Sequence, residues 1–144
     1  MITYSGTSQG ALPFLARFLI SLIFLISGIG KIIDFSGAVL ALKQVGVHQG
    51  AEIFIGIALF LELLGGLLVL LGWYTRVGCW ILMIFLFPTT LLFHAFWRVD
   101  GANVALQLSL LLKNLVIYGA LLLLQSYGPG RWSMDALWQQ TDTM

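Results

Sequence analysis

The segment AEIFIGIALFLELLGGLLVLLGWYTR, residues 51–76, constrains this chain more than any other stretch, because it combines a long apolar run with one central carboxylate, Glu62. Fourteen residues between Ala51 and Gly72 are Leu, Ile, Phe or Val. At roughly −0.3 to −0.6 kcal/mol each they favour insertion into a bilayer by about −4 to −8 kcal/mol. A carboxylate at the centre returns only about 2.5–3.5 kcal/mol. The segment therefore inserts and takes Glu62 with it. An acid at that depth requires a partner, which other apolar segments must supply.

Three further runs of similar length occur, so the four segments lie at about 11–33, 51–72, 77–97 and 103–125. Each has the twenty or so residues that cross about 30 Å of hydrocarbon as a helix. The 144 residues are 60% hydrophobic and 9% charged, too few polar groups to coat a water-facing fold. A net charge of +1 excludes the basic face that nucleic acid requires. Without water to satisfy the backbone, such spans are α-helical. The expected fold is all-α, an integral membrane antiparallel four-helix bundle, with residues 1–144 as one domain and both termini on one side. The N-terminus lacks the positive region of a cleaved signal, so the first span is expected to be retained.

The faces of the spans locate their polar groups. At about 100° per residue, Arg17, Ser21, Phe24, Gly28 and Lys31 share one side of the first helix. Arg17 could snorkel to the interface, but the aligned Ser21 and Gly28 favour an inward orientation. In the second span Ala58, Glu62, Gly65 and Gly66 share a face that admits a close neighbour. The competing reading is a small-residue packing seam that contains one acid. The third span has Pro88 followed by Thr89 and Thr90, with Trp80, Met83, Phe87, Thr90 and His94 along one side. His94 reads equally as an interfacial hydrogen-bonding residue or as a proton-handling one. In the fourth span Asn103, Gln107, Asn114, Tyr118 and Gln125 align, with Lys113 on the flank. Counting depth by residue places Lys113 and Glu62 each about 15 Å from a surface. The expected contact is therefore Glu62 with Lys113, or with Lys113 and Arg17 together.

Between the first two spans, residues 34–50 are expected to lie on the membrane surface, with Asp34 or Ser36 capping a short helix and His48 in a solvated loop. The tail 126–144 leaves the membrane at Gly128-Pro129-Gly130, with Ser133 as a helix cap and Asp135 in that helix's first turn. Arg76 and Arg131 on the terminal side balance Lys43 and Arg98 on the other, so charge gives no preferred orientation.

Four stretches in order carry a resemblance to a known family. They are FLISLIFLISGIGKIIDF, ELLGGLLVLLGWYTR, FPTTLLFHAFW followed by LLKNLVIYGA, and GPGRWSMD. Over about residues 12 to 137 the chain resembles the DoxX family of small four-helix membrane proteins, in the branch with a Lys-Asn pair in the last helix. The resemblance implies a bacterial cytoplasmic (inner) membrane location with both termini cytoplasmic, and a quinone as the candidate ligand. The partners it brings into view are the lipid bilayer, a redox-enzyme subunit and a second copy of the chain.

The residues themselves argue against independent catalysis. One cysteine, Cys79, excludes thiol exchange, and one histidine within a span excludes bis-histidine haem. No metal-ligand set or nucleophile-base pair is visible. The leading expectation is a non-catalytic membrane subunit of a quinone-linked or other redox complex, with Arg17, Lys31, Glu62, His94, Lys113 and Asn114 as its intramembrane polar cluster. The alternatives are a small-molecule or proton carrier using the same charges, and a structural anchor or assembly factor.

Overall fold

The computed structural model describes residues 8–99 and 101–141. Six α-helices follow one another: α1 (Ser8–Ile33), α2 (Phe35–Gln44), α3 (Ala51–Leu71), α4 (Thr75–Phe93), α5 (Ala102–Tyr127) and α6 (Met134–Thr141), with a 3-10 turn at Phe96–Arg98. Four of them, α1, α3, α4 and α5, are long and apolar enough to cross a membrane. The architecture is the expected helical membrane bundle. The third span runs Thr75–Arg98, and within it the α-helix stops at Phe93, where the His94 amide closes the last turn on Thr90 O at 3.0 Å.

Helix α3 is the centre of the arrangement, packed against α1 on one side and α4 on the other, while α5 packs chiefly on α4. Small residues make these approaches close. A methyl built on Gly28 would lie 2.7 Å from Leu63 Cδ2. One on Gly65 would lie 2.7 Å from Leu82 Cδ2, and one on Gly78 2.9 Å from Leu68 Cβ. In a bilayer, where burial of apolar surface gives no net drive between helices, such contact supplies the packing energy. The inward stripe of α1 is as its sequence indicates: Arg17, Ser21, Phe24 and Gly28 are buried. On α4, by contrast, Met83 and Thr90 face in, while Trp80 and Phe87 face out at 53% and 60% exposure. Thr89 and Thr90 donate to Phe85 O and Leu86 O, at 2.8 and 2.7 Å, and so bind the turn that Pro88 interrupts.

The spans differ in height, and this sets the site. Gly28 of α1 lies against Leu63 and Glu62 of α3. From that level α3 continues about 16 Å to its first residue, whereas α1 continues only about 7 Å to its last. Helix α2 occupies the difference. Asp34 breaks the chain between the two helices and caps α2, its carboxylate accepting from Gly37 N at 2.9 Å. Val39 and Leu42 of α2 then pack on Ala51 and Ile55 of α3, and Lys43 pairs with Glu52 at 2.8 Å.

At the other end α3 turns into α4 through Gly72 and Tyr74, both with positive φ, at 65° and 45°. A Cβ on Gly72 would run into the Arg17 guanidinium and Ser133. Gly72→Ala is expected to lose about 1–3 kcal/mol from the left-handed backbone, with the steric conflict added. Thermal unfolding in detergent checks this; a midpoint equal to that of the native chain would contradict it.

Candidate functional site

The polar groups predicted to form one cluster occupy five separate places. Glu62, one turn before the paired glycines on the inner face of α3, is met by α1 and not by α5. Its Oε2 accepts from Lys31 Nζ at 2.8 Å and its Oε1 from Ser27 Oγ at 2.8 Å. Lys31 Nζ also reaches Ser27 Oγ at 2.8 Å, closing a three-residue ring of contacts. The Glu62 side chain is 3% exposed and that of Lys31 21%. The Lys31 ammonium lies 6.0 Å from the centroid of the Phe85 ring, which Phe24 meets edge-on.

Lys31 reaches Glu62 because side chains on a helix lean toward its N-terminus. Ser27 is one turn earlier on α1, level with Glu62, and the long Lys31 stem lies back along that turn. The expected Glu62–Lys113 pair is not formed. Lys113 is exposed on α5 and makes no ion pair among the described residues, while its neighbour Asn114 is buried. Successive residues on a helix are about 100° apart, so turning Asn114 inward turns Lys113 outward, and matched depth does not overcome mismatched azimuth.

Arg17 faces in, fully buried, but it does not reach Glu62. Its Nη1 donates to Val69 O and Leu70 O at 3.3 and 2.9 Å, and its Nη2 to Trp132 O. It thus satisfies carbonyls at the C-terminal end of α3 and holds the tail beside them. Asn114 Nδ2 donates to Thr90 Oγ1 at 2.9 Å, joining α5 to the proline-bearing part of α4. His94 pairs through Nδ1 with Gln107 Oε1 at 3.2 Å, where α4 ends. Of the six predicted site residues, only Lys31 and Glu62 touch.

Two residues outside that set complete the polar structure. Ser27 lies off the Arg17 stripe, and its signal was its i, i+4 spacing from Lys31. Asp135 stands in the first turn of α6, where Ser133 Oγ caps by accepting from Ala136 N at 3.2 Å. Yet its carboxylate serves another helix. It accepts from Tyr74 N, Thr75 N and Thr75 Oγ1 at 2.8, 3.0 and 2.7 Å, at the start of α4. Nothing in local sequence announces a contact across 60 residues.

Among the described residues no group of His, Cys, Asp and Glu could hold a metal ion. The Ser27–Lys31–Glu62 group sets an ammonium against a buried carboxylate inside the bundle, with part of the Lys31 side chain left exposed.

Comparison with known proteins adds a lineage to this geometry. A family model described as DoxX matches residues 12–95. Inner membrane protein YphA of Escherichia coli (strain K12) is 32% identical over 130 residues, covering 90% of this chain and 92% of that protein. Inner membrane protein YqjF of the same strain is 34% identical over 122 residues, covering 85% and 88%. No solved structure matches the chain significantly.

Removing one partner of the buried pair leaves the other uncompensated. Lys31→Met is expected to destabilise the protein by roughly 3 kcal/mol, and Lys31→Met with Glu62→Gln to recover most of that loss. Unfolding of the four members of the cycle measures the coupling; additive losses would contradict it.

Proposed function

This chain belongs to the DoxX family, and from that premise we propose that it is a non-catalytic inner-membrane subunit of a redox complex whose Lys31 contacts an amphipathic ligand of the quinone type. The inner-membrane location is supported by the relatives' names and by the four apolar helices. Both termini are assigned to the cytoplasmic side, as the family resemblance implies.

The observation that carries the ligand reading is the state of Lys31. Its ammonium is fixed by Glu62 and Ser27, yet a fifth of the side chain is exposed, beside the Phe85 ring. A quinone carbonyl oxygen can accept from such a donor. Arg17 and Asn114 have internal partners and take no part. Lys113, exposed on α5, is likewise left out.

A structural reading has its own support: every polar atom of the Ser27–Lys31–Glu62 group has an internal partner, as a pin fixing the register of α1 on α3 requires. The carrier reading finds no comparable support, since both Glu62 oxygens are engaged and the side chain is 3% exposed.

A short-chain ubiquinone titrated into nanodisc-embedded protein separates the first two. The ligand reading expects saturable binding that weakens by about tenfold or more in the Lys31→Gln/Glu62→Gln variant, which removes a charged donor without orphaning a carboxylate. Absence of saturable binding, or equal binding by that variant, overturns it in favour of the register pin.

A further inference from the structure

We propose that the cleft between the α3–α4 turn and the start of α6 binds the phosphate of an anionic phospholipid. The proposal concerns the end of the bundle remote from Lys31 and is independent of the function argued above.

The cleft follows from how the chain leaves α5. After Tyr127 it turns through Gly128 and Gly130, with φ of 82° and 81°, a region that glycine alone enters at low cost. The chain then runs back across the α3–α4 turn and is fastened there. Asp135 N donates to Gly72 O at 2.8 Å, and the Asp135 carboxylate holds the first amides of α4. Arg17 grips Trp132 O from below. Between the fastened tail and the helix ends remains a cavity of about 690 Å³, lined among others by Tyr74, Arg76, Tyr127, Arg131, Asp135 and Trp138. That volume is in the range of small-molecule sites.

Its depth and chemistry indicate the occupant. Thr75 opens the third span and Tyr127 closes the fourth, so the cavity lies where hydrocarbon gives way to headgroups. Tyr127 is 86% exposed, and Tyr74 meets Trp138 edge-on at 6.5 Å, which suits the aromatic belt of that layer. Two arginines and one aspartate among the lining residues leave one net positive charge. The aspartate is already committed to the α4 amides and the Thr75 hydroxyl. Arg76 and Arg131 have no ion pair or side-chain hydrogen bond with any described residue, whereas Lys43 at the opposite end is matched by Glu52. A guanidinium presents a planar fork that fits phosphate oxygens bidentately. Val77 continues the wall toward the hydrocarbon, the direction in which acyl chains must leave. A free phosphate would use the two arginines and have no need of the apolar and aromatic walls.

The test is competition on delipidated protein in a neutral detergent, read by native mass spectrometry. The probes are dihexanoyl phosphatidylglycerol, dihexanoyl phosphatidylcholine and inorganic phosphate. The expected result is preferential retention of phosphatidylglycerol, lowered at least about tenfold in Arg76→Gln/Arg131→Gln. It is expected to be kept in Lys43→Gln/Arg98→Gln, which removes the same charge at the opposite end. Both arginines are exposed, so their loss spares the core, and an unchanged melting midpoint verifies folding. Equal retention of the two lipids, or a preference that survives in the first variant, overturns the proposal. Displacement of the lipid by inorganic phosphate at matched concentration overturns the lipid assignment in favour of a soluble anion.

Discussion

A carboxylate in the interior of a membrane bundle has to be compensated where it sits, and the structure around Glu62 is arranged by that need. An uncompensated charge at such depth costs several kcal/mol after relaxation, comparable with the net stability of a small domain. Lys31 and Ser27 compensate it at 2.8 Å each, from a helix that can come this near only because Gly28 has no side chain. Once α1 is held at that height against α3, its end falls short of the start of α3. The short helix α2 then fills the shortfall, with Val39 and Leu42 on Ala51 and Ile55. One ion pair thus fixes the approach, the register and the need for the fifth packed element.

At the terminal end the same economy uses helix ends in place of a charge pair. The C-terminal carbonyls of α3 receive a cation, Arg17, and the N-terminal amides of α4 receive an anion, Asp135, each with the sign that the local peptide dipoles favour. Both groups also hold the tail, Arg17 through Trp132 O and Asp135 through its own amide. The tight turn between them tolerates Tyr74 at a φ of 45°, a conformation the clamp over-determines. Groups occupied in this way are unavailable to a ligand. Functional interest therefore narrows to the accessible side of Lys31 and to the unpaired guanidiniums over the cleft.

Much of this was legible in the chain. The four spans, the inward stripe of α1 from Arg17 to Gly28, the small-residue face around Glu62 and the Asp34 and Ser133 caps follow from periodicity and residue chemistry. The partner of Glu62 did not follow. Depth was counted as if every span began and ended at a membrane surface. That count placed Lys113 at the level of Glu62 and left Lys31 out of the expected pairing, when α1 in fact ends beneath α2 with Lys31 on Glu62. The wheel for α5 already separated Lys113 from Asn114, and azimuth decided the outcome. Asp135 was legible as a first-turn residue of α6 but not as the cap of α4, because tertiary return of a tail leaves no local periodicity.

The central claim is that Lys31, and not Lys113, neutralises Glu62. It is tested most directly by solid-state NMR in lipid, with ¹⁵N at lysine Nζ and ¹³C at glutamate Cδ. The Glu52→Gln variant removes the exposed pair with Lys43 from the signal. The account predicts dipolar recoupling between one ammonium and the Glu62 carboxylate at contact distance, lost on Lys31→Met and retained on Lys113→Met. Recoupling that persists without Lys31, or that vanishes with Lys113, would contradict it.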